Sequence, residues 1–249
     1  MNNIKLEICV DSLASLGAAV AGGAQRIELC AALSEGGLTP SYGFMRAATS
    51  FDVSVHAMIR PRGGDFCYTQ AEIDIMCADI AEAKRLGLAG VVLGVAKADD
   101  TLDLDALSKL RHEASGIECT LHRVVDLTPD PIVAVEQAIS LGIDRILTSG
   151  GALTALDGVD QIAKMVAASK GRVDIMPGSG INLSNALKVM RATGVNDIHA
   201  SCSDWRQSAS GRVEAMSFTS QQGTRQTILK NVSDLKAIVD SVSVRVANV

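Results

Sequence analysis

The residues of this chain that can do chemistry stand in or just after short apolar runs. Two carboxylates, Glu7 and Glu28, each precede a cysteine by two positions, Cys9 and Cys30. His56, His122 and His199 lie in three further apolar runs, and His56 is followed four positions later by Arg60. The run 53–59 leads straight into Arg60-Pro61-Arg62-Gly63-Gly64-Asp65-Phe66. A loop that only connects two elements seldom gathers so much charge and backbone freedom in seven residues. Two carboxylates in a confined space split their pKa values, which general acid–base chemistry requires. In such a site Glu7 and Glu28 serve as acid and base, His122 carries a proton, and Arg60 and Arg62 clamp an anion.

The thiols suggest a different chemistry. Two thiolates on neighbouring strands, about 4.8 Å apart, suit a soft ion such as Cu(I). A free cysteine serves equally well as a small buried hydrophobe. There are six cysteines, none in a C-x-x-C pair, and their spacing fits no zinc finger or ribbon. Cys67 and Cys202 fall in loops that can reach the same end of the fold, whereas Cys77 and Cys119 belong to apolar faces. Two glycine-rich turns add a third possibility. Ser149 and Gly150 lie in one, and Gly178, Ser179 and Gly180 lie in the other, which leads into a helix N-terminus where free N–H groups attract phosphate or another anion.

Eight short β-branched runs position these groups: 5–9, 26–30, 53–59, 90–93, 118–122, 145–148, 173–176 and 197–200. Each is followed by a helix-forming segment. Asp11 and Thr69 are predicted N-caps, the latter in a capping box with Glu72. Pro131 suits a first helical turn, and Asn182 is expected to open another helix. Eight βα units in about 250 residues predict a (β/α)8 TIM barrel forming one domain over 1–249. A doubly wound sheet is the runner-up, and no G-x-G-x-x-G follows the first strand to support it. The stretch 203–225 reads as a polar, irregular segment before the last helix: a lid, an interface arm or disorder.

Side chains alternate along a strand, so Glu7 with Cys9, Glu28 with Cys30, His56 with Met58 and Arg60, Thr120 with His122, and His199 with Ser201 each share a face. The intervening positions are mostly apolar and fit the helix-facing side, which leaves the polar set to line the barrel. A plain structural explanation is a buried ion-pair network in which Arg60 satisfies Glu7 or Glu28. His112 belongs to a charged helical segment and is expected at the surface.

The net charge of −5 leaves no basic footprint for nucleic acid or anionic membrane. Apolar residues make up 47% and aromatics 3%, so the core is aliphatic. No apolar run approaches a spanning length, and the N-terminus carries no signal-peptide pattern, which makes the cytoplasm the default compartment.

Several motifs together closely resemble the CutC family of copper homeostasis proteins: Leu6-Glu7-Ile8-Cys9, Arg26-Ile27-Glu28-Leu29-Cys30, Glu35-Gly36-Gly37-Leu38-Thr39-Pro40-Ser41, Ile59-Arg60-Pro61-Arg62-Gly63-Gly64-Asp65-Phe66, Leu121-His122-Arg123 with Asp126, and Arg145-Ile146-Leu147-Thr148-Ser149-Gly150. The resemblance runs over about 6–201. It implies a cytoplasmic TIM barrel, a homodimer or higher homo-oligomer, and Cu(I) held by Cys9 and Cys30. Through these motifs Asp65, Arg123 and Asp126 join the candidate ligand contacts, and His199, placed by the alternation of the eighth strand, also fits the family's pattern. The alternative is an enzyme acting on a small anionic or phosphorylated metabolite.

Overall fold

In the computed structural model, which describes residues 4–220 and 222–246, the eight expected strands form a single parallel sheet. They are β1 (Lys5–Val10), β2 (Arg26–Leu29), β3 (Ser54–Met58), β4 (Gly90–Leu93), β5 (Glu118–Leu121), β6 (Arg145–Thr148), β7 (Asp174–Pro177) and β8 (Asp197–Ala200). Neighbours follow chain order from β7 back to β1, and β8 then pairs with β1. The two ends of the sheet, β7 and β8, touch, so the sheet curls into a nearly closed (β/α)8 barrel.

Both faces of these strands are buried, as expected for parallel strands covered by helices. Leu6, Ile8, Ile27, Leu29 and Ile146 point outward into an aliphatic layer beneath α1 (Leu13–Ala21), α2 (Tyr42–Ala48), α3 (Gln70–Arg85), α4 (Leu104–Glu113), α5 (Pro131–Ser140), α6 (Val159–Ser169) and α7 (Ala186–Thr193). The alternate positions turn into the lumen and carry the charge.

Most helix starts follow the local rules. Thr69 and Glu72 form the full capping box, and Asp130 caps α5 with Pro131 in its first turn. Two starts are corrected. Ser12, not Asp11, caps α1, accepting from Ser15 N–H; Asp11 instead accepts from Leu33 N–H at 3.2 Å and holds the loop after β2. Asn182 opens a turn rather than a helix, and α7 begins at Ala186. His112 is exposed, as expected.

The segment 203–225 is more regular than its composition suggests. After β8 the chain forms β9 (Ser203–Arg206), a short helix α8 (Arg212–Ala215) and β10 (Thr224–Thr227), which pairs antiparallel with β9. Gln221, within it, lies outside the described residues, as do residues 1–3 and 247–249. Thr227 ties this arm down, donating its N–H to Ser15 Oγ and its hydroxyl to Ser201 C=O. The last helix, α9 (Leu229–Val246), then packs between α1 and α7 and completes the outer ring.

Candidate metal centre

A ladder of buried charge fills the lumen, and its upper end carries the chemistry. Arg26 is its hub: Nε donates to Glu7 Oε2, and Nη2 donates to Asp197 Oδ1 at 2.5 Å. Asp197 also faces Arg145 Nε at 3.5 Å, and Arg145 reaches Glu118 Oε2 at 3.1 Å near the N-terminal rim. Arg26, Asp197 and Arg145 are missing from the sequence-based site set. Arg26 stands two positions before Glu28, and Asp197 two before His199, so the same alternation that placed Glu28 and His199 also points to them.

Above this hub, Glu7 Oε1 lies 2.7 Å from His199 Nδ1, and His199 Nε2 lies 3.8 Å from Glu28 Oε2. Among the described residues, Cys9, Glu28 and His199 form a buried group whose candidate ligand atoms all lie within 4.8 Å of one another. Glu28 Oε1 is buried and has no hydrogen-bond partner there. Cys30 stands outside that group but donates its thiol to Glu28 Oε2 at 3.6 Å. It is sealed against Met58, Val92 and Leu33.

These neighbours set the protonation states. Burial opposes ionisation of Glu7, yet Arg26 and His199 hold its carboxyl well below the usual range. Burial is the largest influence on Glu28 and lifts its carboxyl, against the pull of His199. Burial alone would lower His199; Cys9, Glu28 and the Glu7 hydrogen bond together hold it well above the ordinary value. Burial pushes the Cys30 thiol well up, with Glu28 adding to the effect. Glu7 therefore fixes the His199 ring through Nδ1 and leaves Nε2 facing Glu28, the way a carboxylate orients a metal-binding imidazole; a metal ion there would take the place of the proton that these neighbours keep on the ring.

A cavity of ≈ 520 Å³ opens over this group, lined among others by Cys9, His199, Cys202, Ser179, Gly180 and Arg225. Ser179 and Gly180 from the second glycine turn thus reach the mouth beside the cluster. Gly178 N–H bonds Thr148 C=O, and Ser179 Oγ bonds Leu153 C=O.

The remaining predicted residues sit elsewhere on the mouth or are internally satisfied. Arg60 pairs with neither Glu7 nor Glu28. Its guanidinium donates to the carbonyls of Glu35 (2.6 Å), Gly37 (3.1 Å) and Gly64 (2.9 Å) and lies 5.0 Å above the Phe66 ring. It binds two loops together. Arg62 pairs with Glu72 and Asp65 in an exposed brace over Tyr68. His122 is buried; its Nδ1 accepts Val124 N–H, its ring packs against Phe66 at 4.7 Å with the planes tilted by 47°, and burial with Arg60 lowers its pKa to about 3. Its Nε2 has no hydrogen-bond partner among the described residues. The first glycine turn is already filled. The Asp126 carboxylate accepts from the N–H groups of Ser149 and Gly151 and from Thr148 Oγ1, and Arg123 bridges Asp126 to Ser149 Oγ. An external anion would have to displace that carboxylate, so Ser149 and Gly150 do not present a vacant anion cradle. Cys67 is exposed in the loop after β3, and His56 is buried 3.6 Å from Glu118.

The model of the CutC family matches residues 4–204, four-fifths of the chain. This chain belongs to the CutC family. A CutC family protein from Sinorhizobium medicae is 46% identical over 245 residues, spanning 98% of this chain and 100% of the relative. One from Agrobacterium fabrum is 48% identical over 237 residues, 95% of this chain and 94% of the relative. A solved structure named as the copper homeostasis protein CutC of Streptococcus agalactiae superposes with a TM-score of 0.77 at 32% identity, covering 80% of this chain and 98% of that one. Thiamine phosphate pyrophosphorylase from Pyrococcus furiosus, at 18% identity and a TM-score of 0.60, shares the fold alone. In this CutC chain the buried cluster lies inside the family-matched region, whereas almost all of the β9–β10 arm and α9 lie beyond it. Among the described residues no helix is long and apolar enough to cross a membrane.

Proposed function

We propose that this CutC chain is a cytoplasmic copper homeostasis protein that holds Cu(I) at the barrel mouth, with Cys9 and His199 as its principal donors. The observation that carries the reading is the buried Cys9–Glu28–His199 group beneath an open cavity, with Glu28 Oε1 left without a partner. A thiolate sulfur and an imidazole nitrogen are donors that suit Cu(I). The copper homeostasis name borne by the streptococcal relative supports the same reading. The protein's own residues prepare the site. Arg26 keeps Glu7 ionised, Glu7 orients His199, and buried ion pairs fill the lumen beneath.

The acid–base alternative has weaker support. Arg60, Arg62 and the turn after β6 already have internal partners with which an anion would have to compete. Exposed Leu153, Met216 and Phe218 are compatible with the homo-oligomer that the resemblance implies, and sedimentation would measure it.

The test is an anaerobic Cu(I) titration against a chromophoric chelator. The parent should take up close to one Cu(I) per chain and outcompete a mild chelator. Cys9→Ser and His199→Gln should each weaken binding strongly, while circular dichroism stays unchanged. Equal binding by both variants would remove this site assignment.

A further inference from the structure

The functional reading leaves Glu28 without a part in the buried cluster. The residue is 4% exposed, and its two oxygens have different surroundings. Oε2 accepts the Cys30 thiol at 3.6 Å and lies 3.8 Å from His199 Nε2, whereas Oε1 is buried with no hydrogen-bond partner among the described residues. A carboxylate taken out of water ordinarily has its oxygens satisfied, so an orphaned one is a natural contact for a cation. The candidate ligand atoms of Cys9, Glu28 and His199 all lie within 4.8 Å of one another. A tetrahedral zinc ion, with bonds of about 2.3 Å to sulfur and about 2.0–2.2 Å to nitrogen and oxygen, sets its ligand atoms roughly 3.4–3.6 Å apart. The 3.8 Å between His199 Nε2 and Glu28 Oε2 comes close to that spacing.

The surrounding residues support these side chains as ligands. Glu7 Oε1 holds His199 Nδ1 at 2.7 Å and leaves Nε2 on the Glu28 side, while the Cys30 thiol holds Glu28 Oε2. Imidazole and carboxylate thus each have an outer partner that fixes their orientation. The Cys9 thiol makes a long contact to the Ala200 carbonyl at 3.8 Å, which it can give up to an ion. Cys9 and His199 line the mouth cavity and Glu28 does not, so the carboxylate closes the inner side of the pocket.

We propose that Cys9, Glu28 and His199 together form a three-ligand site for a borderline divalent cation of the Zn²⁺ type, with the fourth position turned to the cavity. The proposal rests on the donor pair of the copper reading, Cys9 and His199, but not on the copper. A thiolate, an imidazole and a carboxylate suit zinc, whereas a soft monovalent ion has little use for the carboxylate. The thiol releases its proton to solvent as the ion binds. The fourth position takes water or an oxygen of a small molecule in the cavity, the arrangement in which zinc acidifies water or polarises a carbonyl. Cys30, a ligand by the family resemblance, becomes the residue that orients Glu28.

The experiment uses the full chain, freed of metal and kept reduced. Zn²⁺ is competed against a chromophoric chelator, and Co²⁺ serves as the spectroscopic stand-in. The parent should bind close to one Zn²⁺ per chain. Its Co²⁺ complex should show a sulfur-to-cobalt charge-transfer band and the intense visible bands of four-coordination. Cys9→Ser should remove the charge-transfer band. Glu28→Gln should weaken Zn²⁺ binding by about tenfold or more, since losing a ligand costs at least as much as losing an outer partner, and leave Cu(I) affinity at the parental value. Zinc K-edge absorption on the parent counts the neighbours without relying on a variant that folds: one sulfur, with nitrogen or oxygen for the rest. The proposal is overturned by absent Zn²⁺ binding, by two sulfurs, or by a Glu28→Gln protein that keeps parental Zn²⁺ affinity or loses Cu(I) as heavily as Zn²⁺. A parent that binds Cu(I) but not Zn²⁺ leaves the copper reading intact. One that binds Zn²⁺ through these residues but no Cu(I) removes the copper reading and keeps this proposal.

Discussion

Glu7 Oε1 lies 2.7 Å from His199 Nδ1, and the same carboxylate takes the Nε–H of Arg26 on its other oxygen. One buried side chain thus joins the charge ladder below to the candidate ligands above. Glu7→Gln keeps the shape but removes the charge that orients the ring. Groups that orient a metal-binding imidazole are typically worth about ten- to a hundredfold in metal affinity. Cu(I) competition on Glu7→Gln should show a loss of that size with Cys9 and His199 intact; parental affinity would mean that Glu7 does not position His199.

Arg26 carries a separate stability prediction. It is 2% exposed and faces two carboxylates, Glu7 and Asp197, that have little access to solvent. Removing one partner of a buried ion pair costs about 3–5 kcal/mol, because the charges left behind lose compensation. Urea unfolding of Arg26→Met should report a loss in that range. A loss under about 1 kcal/mol would show that the ladder relaxes or hydrates without its hub.

The lumen should also shape the acid limb of stability. Burial is the main cause that lowers His56 to about 4 and His122 to about 3. Both rings stay neutral in the fold while the unfolded chain protonates near 6.5, so their contribution is complete above pH 6.5 and is lost as pH falls toward 4. Each contributes a slope of at most about 1.4 kcal/mol per pH unit. Glu28, with its raised carboxyl, works in the opposite direction over part of this window. His199, held well above 6.5, contributes stability that is present below pH 6.5 and lost as pH rises, so it leaves the acid window flat. Urea midpoints for the parent and His56→Leu at pH 7, 5.5 and 4.5 isolate one histidine: the variant should lose stability less steeply on acidification. Parallel curves would rule out a neutral buried His56.

Gly94, just after β4, sets the space for His122. A Cβ there would sit 2.6 Å from His122 Nδ1 and from Val124 Cγ1, and closer still to His122 Cε1. Overpacking of this kind costs about 1–3 kcal/mol. Gly94→Ala should lower the melting temperature, and a neutral effect would show that the ring can swing aside.

Strand alternation made most of this arrangement legible. The eight strands, the inward faces of Glu7, Cys9, Glu28 and His199, and the capping box at Thr69 all follow from residue type and period, because buried parallel strands permit little else. What the sequence hid involves partners distant along the chain. The sequence makes Arg60 a candidate anion clamp or a structural partner of Glu7 or Glu28, but its acceptors are carbonyls of Glu35, Gly37 and Gly64, which any residue type supplies and composition cannot reveal. Asp126 looked like a ligand contact and instead fills the turn after β6. Arg26 opens β2 in register with Glu7, which makes it the natural counter-charge, but that register exists only once the strands are paired. The order in 203–225 comes from the β9–β10 pairing and the anchors at Ser15 and Ser201, with only weak polar runs to announce it.

The central claim is a soft-metal site built on Cys9 and His199. Anomalous diffraction at the copper edge, from crystals grown anaerobically with Cu(I), tests it most directly. The account predicts one strong anomalous peak at the barrel mouth, within bonding distance of Cys9 Sγ and a ring nitrogen of His199. A protein that binds copper only at Cys67, at surface groups or nowhere, with the mouth holding an oxyanion instead, would contradict it.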